Sequence, residues 1–125
     1  AGCESAFLAF DPDNPRYVYG GCYQGYIEVI DTETGEAKDI MAYPEPRLAE
    51  APKNMRYRFN WNAPILVSKF DKKTIYHAGN KVLKSVDNGM TWSEISPDLT
   101  RNDTTKQGFG GGPITNEGAG GENYN

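Results

Sequence analysis

The amino-acid sequence predicts an all-β fold: two four-stranded antiparallel meander blades of a β-propeller. Three observations carry the prediction. First, one order of strands and turns occurs twice: laying Val18-Tyr19 on Ile75-Tyr76 gives an offset of 57 residues, and laying Asp31 on Asp87 gives 56. Second, Ser85-Val86-Asp87-Asn88-Gly89-Met90-Thr91-Trp92 spells Ser-x-Asp-x-Gly-x-Thr-Trp, a hairpin tip in which Asp87 accepts hydrogen bonds from its own turn, Gly89 supplies a positive φ and Trp92 re-enters the next strand as an apolar anchor. Third, 8 Tyr, 5 Phe and 2 Trp supply strand formers, while 14 Gly and 8 Pro punctuate them. Repeated four-stranded meanders bury their apolar faces only against neighbours, and a ring needs at least about four of them. Two blades therefore call for covering protein beyond residues 1–125.

The elements follow in order. Ser5-Ala6-Phe7-Leu8-Ala9-Phe10 is the first strand, stopped by Asp11-Pro12-Asp13-Asn14-Pro15, whose residues pre-set φ or mimic backbone hydrogen bonds. Arg16-Tyr17-Val18-Tyr19-Gly20 returns. Gly25-Tyr26-Ile27-Glu28-Val29-Ile30 alternates, Asp31-Thr32-Glu33-Thr34-Gly35 turns, and residues 36–40 complete the meander. After a Pro-rich connector over residues 41–52, the second copy runs through Pro64-Ile65-Leu66-Val67-Ser68-Lys69, Thr74-Ile75-Tyr76-His77-Ala78, Lys81-Val82-Leu83-Lys84-Ser85-Val86 and Trp92-Ser93-Glu94-Ile95. The organisation expected is a blade with a degenerate hairpin over 1–43, a connector over 44–62, a blade with the Ser-x-Asp-x-Gly-x-Thr-Trp hairpin over 63–96, and a Gly-rich inter-blade loop or tail over 97–125. Seven glycines in residues 107–121 forbid a regular element there.

A formal net charge of −4 removes the driving force for non-specific binding to nucleic acid or anionic membranes. The densest basic stretch, residues 53–58, is short and interleaved with Asn, Met and Tyr, and reads as a solvated connector. No run approaches the roughly 18 apolar residues of a membrane span. The start, Ala1-Gly2-Cys3, has no signal-peptide pattern and no initiator Met, and reads as internal. Cys3 and Cys22 lie on successive strands. A hairpin symmetric about residue 13 places Cys3 opposite Cys22 or Tyr23, which permits a cross-strand disulfide; a register shift of one residue instead leaves two buried free thiols.

Little of the chain reads as catalytic machinery. The Ser85, Asp87, Gly89, Thr91 and Trp92 set holds a loop, so its carboxylate argues for fold. Hydrolysis of a carboxylate-bearing glycoside calls for arginines to clamp the carboxylate, a nucleophile with its base, and an acid/base residue. Arg56 and Arg58 stand near a proline, but Phe59-Asn60-Trp61-Asn62-Ala63 intervenes before Pro64, so the spacing departs from an Arg-Ile-Pro motif. Asn60-Trp61-Asn62 suits a shallow ligand site, with an indole to stack on a sugar ring and amides to bond its hydroxyls. The favoured reading of the same residues is structural, an aromatic at the base of a blade with asparagines capping the loop, since a loop entering an innermost strand needs such capping.

His77 is the single histidine and has no second ligand at metal spacing; a packed ring with one satisfied nitrogen is expected. Asp11-Pro12-Asp13-Asn14 offers oxygens to Ca²⁺ but lacks the closing acid and Gly spacing, and reads as a turn. Gly110-Gly111-Gly112 opens no helix and is no phosphate loop. Asn102-Asp103-Thr104 matches a glycosylation sequon, meaningful only in a eukaryotic secretory setting. No cofactor is expected.

Taken together, Tyr57-Arg58-Phe59-Asn60-Trp61-Asn62-Ala63-Pro64-Ile65, Tyr76-His77-Ala78-Gly79-Asn80, the hairpin at 85–92, Ile95-Ser96-Pro97-Asp98-Leu99-Thr100-Arg101-Asn102-Asp103 and Gly111-Gly112-Pro113-Ile114-Thr115 resemble the large bacterial Asp-box (BNR repeat) propeller proteins, described as sortilin-like or glycosyl-hydrolase-like. Tyr19-Gly20-Gly21 and Gln24-Gly25-Tyr26 extend the likeness into the first blade. The resemblance implies a secreted, periplasmic or surface-attached bacterial parent whose remaining blades are partners of this segment. Two functions follow from it: a non-catalytic scaffold that recognises a protein, peptide or glycan, with Arg58, Asn60, Trp61 and Asn62 as candidate ligand residues, or a fragment of a sialidase-like glycoside hydrolase.

Overall fold

In the computed structural model, the described residues are Cys3, 7–44 and 50–108. They form two four-stranded antiparallel sheets, each a meander in chain order, with three short 3-10 turns between elements. The first sheet contains β1 (Leu8–Asp11), β2 (Asn14–Gly21), β3 (Ile27–Asp31) and β4 (Ala37–Asp39). The second contains β5 (Ile65–Val67), β6 (Ile75–Ala78), β7 (Val82–Ser85) and β8 (Ser93–Glu94). All eight expected strands are present. The first turn is tighter than expected: Asp11 pairs with Asn14, so Asn14 and Pro15 already belong to β2, and a register shift between Phe10 and Asp11 absorbs the tightening. Residues 5 and 6 of the expected first strand lie outside the described set.

Alternation along each strand sets two faces per sheet. In the first, Ala9 pairs with Tyr19 and Tyr19 with Val29, and this face is buried; Phe10 pairs with Val18 and Val18 with Ile30 on the other. In the second, Val67 pairs with Ile75 and Ile65 with His77 on the buried face, whereas Leu66, Tyr76 and Lys84 line the other. The buried faces meet in one cluster of Ala9, Tyr19, Ile27, Ile40, Ile65 and Ile75, with Val29, Val67 and Trp92 against it. A second cluster joins Phe59, Ala63 and Leu83 beneath Trp92. The sheets touch chiefly through β1, β2 and β5.

The ladders also show how the two units relate. The Gly21 N–H bonds the Phe7 carbonyl as the Ala78 N–H bonds that of Pro64, and the Ile40 N–H bonds the Ile27 carbonyl as the Ile95 N–H bonds that of Val82, so in hydrogen-bond phase the units superpose with an offset of 57 residues in their first two strands and 55 in the third and fourth. The offset of 56 between Asp31 and Asp87 matches sequence patterns but not ladder positions. Under the ladder superposition, Ala9, Tyr19 and Val29 fall on Leu66, Tyr76 and Lys84, while Phe10 and Val18 fall on Val67 and Ile75. The buried face of the first sheet is thus equivalent to the exposed face of the second, and the reverse. The sheets stack front to back, with Leu8 (60% exposed) and Phe10 (49%) at one end and Leu66 (62%) at the other. Large apolar side chains at both ends are left in water.

Candidate functional site

Two loops build the candidate site, one at each sheet's approach to its inner strands. The first follows β2. Cys22 is bonded to Cys3 with their Cα atoms 5.5 Å apart, and the described cysteines are therefore both oxidised. Beyond the disulfide the Cys22 N–H donates to the Tyr26 carbonyl (2.8 Å), and Gln24 is driven into the left-handed region at φ 58°. That conformation is uncommon for a residue with a Cβ. Gly25 follows at φ 75°, where a Cβ would collide with the Phe59 ring. The loop can close on Phe59 only because this position has no side chain.

The second loop precedes β5. Phe59 is buried and stacks on His77 with ring centroids 4.7 Å apart, which anchors the start of the loop. Immediately after it, Asn60 and Asn62 are exposed and Trp61 is half-buried between them. The Asn60 Oδ1 accepts the Trp61 N–H at 2.7 Å, so this amide does cap its own loop, while Asn62 stays at the surface. Trp61 meets Tyr23 of the first loop at 4.8 Å between centroids and 59° between planes. The result is an aromatic pair that joins the two loops, with an exposed amide on either side of Trp61 in the chain, the disulfide next to Tyr23 and the Phe59–His77 stack shortly before Trp61. Such a surface offers π-faces and hydrogen-bonding groups with little conformational freedom to lose.

Arg58 takes a different place. Its side chain is 7% exposed and turns inward, where the guanidinium bonds Asp98 (2.7 Å) and the Thr100 hydroxyl (2.9 Å); its Nε has no partner among the described residues. Asn80 completes the cluster, with its Oδ1 accepting the Arg58 N–H (2.9 Å) and its amide donating to Asp98 (2.9 Å). Burial disfavours the charged Asp98, but hydrogen bonds from Thr100, Asn80 and Arg58 outweigh it and hold the carboxyl far below its ordinary range. Arg58 and Trp61 are close in sequence, yet Arg58 turns to Asp98 and Thr100 while Trp61 meets Tyr23. Arg56 instead lies over Tyr43 (4.9 Å) and Tyr57 (5.4 Å), and the Tyr57 hydroxyl donates to Glu94 (2.8 Å).

The residues 85–92 form the tip between β7 and β8. Asp87 accepts the Thr91 hydroxyl (2.6 Å), the Thr91 N–H (2.8 Å) and the Ser85 hydroxyl (2.7 Å), which together lower its pKa to about 2. Ser85 in turn accepts the Gly89 N–H at 2.8 Å. Every carboxylate contact faces the turn. Sequence reasoning missed that this tip also docks on the first sheet: the Trp92 Nε1 donates to the Ile40 carbonyl (2.8 Å) and the Tyr19 hydroxyl to Asn88 (3.3 Å). Asn88 shares the positive φ with Gly89, at 59° and 88°.

The remaining candidates are placed as follows. His77 is buried, but neither ring nitrogen finds a partner among the described residues, contrary to the expected single hydrogen bond; burial pushes its pKa down to about 4. Asp11 and Asp13 face a side chain: the Lys72 ammonium lies 2.6 Å and 3.4 Å from their carboxylates and ties the first turn to the second sheet. Residues 97–108 carry no strand, yet they are packed, with Leu99 N–H on the Asn80 carbonyl and Lys53 N–H on that of Gln107. Gly110-Gly111-Gly112 lies outside the described residues. Among the described residues no group of three His, Cys, Asp or Glu side chains converges as a metal would require, and no helix is long and apolar enough to cross a membrane.

No protein-family model, curated protein or solved structure matches this chain.

The Tyr23 contribution carried no motif in the sequence; its only signal was proximity to Cys22. The Asp98 cluster did leave a trace, because Asp-x-Thr at 98–100 has the spacing of a carboxylate that bonds the hydroxyl and N–H two residues on.

Proposed function

We propose that this chain is a binding scaffold rather than a hydrolase: two adjacent blades of an extracytoplasmic Asp-box β-propeller, sortilin-like in kind, that recognises a protein, peptide or glycan ligand at the site formed by Tyr23, Asn60, Trp61 and Asn62. The observation that carries the reading is the Tyr23–Trp61 pair, two half-buried rings brought together from separate sheets on constrained loops between exposed amides. The front-to-back stacking of two equivalent meanders supports the propeller part, since units packed in that way leave a further face for the next unit until a ring closes. The disulfide supports a location outside reducing compartments.

The sialidase-like alternative receives less support. Arg58, its one candidate clamp residue, spends its guanidinium on Asp98 and Thr100, and Asp87 spends its carboxylate on its own turn. The test is a glycan and peptide array followed by titration of the best ligand with intrinsic fluorescence. Trp61→Ala should weaken that ligand at least ~10-fold, about 1.4 kcal/mol, with an unchanged circular dichroism spectrum. Hydrolysis of a fluorogenic sialoside that disappears on Arg58→Ala would overturn the reading.

A further inference from the structure

The stacking of the two sheets is polar, and it is unfinished at both ends. Inside the chain, the Ala9-Tyr19-Val29 face of the first sheet packs against the Ile65-Val67-Ile75 face of the second. The ladder superposition makes the exposed Leu66-Tyr76-Lys84 face equivalent to the former and the exposed Phe10-Val18-Ile30 face equivalent to the latter. The two solvent-facing surfaces of one molecule are therefore related to each other as the two halves of its internal interface are. We propose that a second copy of this chain docks head to tail, the Leu66-Tyr76 face of one copy on the Phe10-Val18 face of the next.

Three features argue for a second copy as the occupant. The match is between different surfaces, so each copy offers one face of each kind and the contact is heterologous. The exposed side chains are large and apolar at both ends: Leu8 and Phe10 at one, Leu66 and Ile95 (51% exposed) at the other. Exposed apolar side chains that adjoin on a sheet face mark an interaction surface, as Leu8 and Phe10 do at i and i+2 of β1. Charge is complementary as well. Glu28 and Asp39 are direct cross-strand neighbours on the Phe10 face, whereas the Leu66 face carries Lys84, poised over the Tyr76 ring at 5.9 Å. The two faces thus carry charge of opposite sign, which favours unlike over like pairing.

The proposal shares the front-to-back equivalence of the sheets with the propeller part of the proposed function but does not use the Tyr23–Trp61 site, so failure to dock and failure to bind ligand are read apart. The test is analytical ultracentrifugation of the whole chain from about 1 to 200 μM, the range in which weak to moderate contacts populate, with Phe10→Glu and Leu66→Lys compared. Both positions are exposed, and circular dichroism with near-ultraviolet signals checks that each variant keeps its fold. The wild type is expected to form dimers and larger species as concentration rises. Each variant alone is expected to be monomeric, because each has one end blocked. Mixed one to one, the variants should give a dimer and nothing larger, since Phe10→Glu retains the Leu66 face and Leu66→Lys retains the Phe10 face. A wild type that stays monomeric throughout overturns the proposal, and so does either variant dimerising alone, which would mean like faces pair. A monomer that still binds ligand through Trp61 removes this inference and leaves the proposed function intact.

Discussion

His77 is the clearest case of one side chain setting a property of the whole. Its imidazole sits between Phe59 and Trp92, at 4.7 Å and 6.2 Å, with burial holding its pKa near about 4 against an ordinary value of 6.5. The native state thus keeps the ring neutral at a pH where the unfolded chain has taken up a proton. Stability is unaffected above pH 6.5 and falls as pH drops from 6.5 toward 4, by up to about 1.4 kcal/mol per unit. Chemical denaturation across pH 4 to 7 should show this slope, and His77→Phe, which keeps a stacked ring, should flatten it. The sequence supported a packed histidine, because no second ligand stood at metal spacing. It could not reveal that the ring would be used as an aromatic alone, since that follows from Phe59 arriving from a loop 18 residues away. Asp87 was more legible: its hydroxyl and amide donors all come from the same eight residues.

At the scale of elements, strands were easier to read than the segments between them. Alternation and turn residues are local, so all eight strands and both meanders follow from the chain, including the tip closed by Ser85 and Thr91. The segment after β8, expected as a loop or tail, has no periodicity to show what would fix it. Its order comes from the Arg58–Asp98 pair and from Asn80, partners 40 and 18 residues distant from Asp98. Those contacts make a sharp prediction. Asp98→Ala leaves a buried guanidinium without its carboxylate and should cost about 3 kcal/mol, read as a shift of the denaturation midpoint. The loss should be accompanied by faster amide exchange at Leu99, whose N–H depends on Asn80. The candidate site divides in the same way. Trp61 and its amides were visible as a cluster, while Tyr23 was not, because only the disulfide and the strained Gln24 bring it across.

At the scale of the molecule, a core assembled from both sheets means neither unit is independent. Ile75 is fully buried in the cluster that also contains Ala9, Tyr19 and Ile27. Ile75→Ala should therefore lower stability by about 3 kcal/mol. Unfolding followed by indole fluorescence and by far-ultraviolet circular dichroism should remain a single coincident transition in both proteins; two separate transitions would show that the sheets fold apart. The front-to-back relation of the sheets has a wider consequence. A module whose fore and aft surfaces fit one another needs no new contact to be invented when it is copied in tandem. An in-frame duplication of residues 3–62 would insert a third module with its own Cys3–Cys22 pair between equivalent faces, so such an array can lengthen by whole steps while every joint pairs the same two kinds of face.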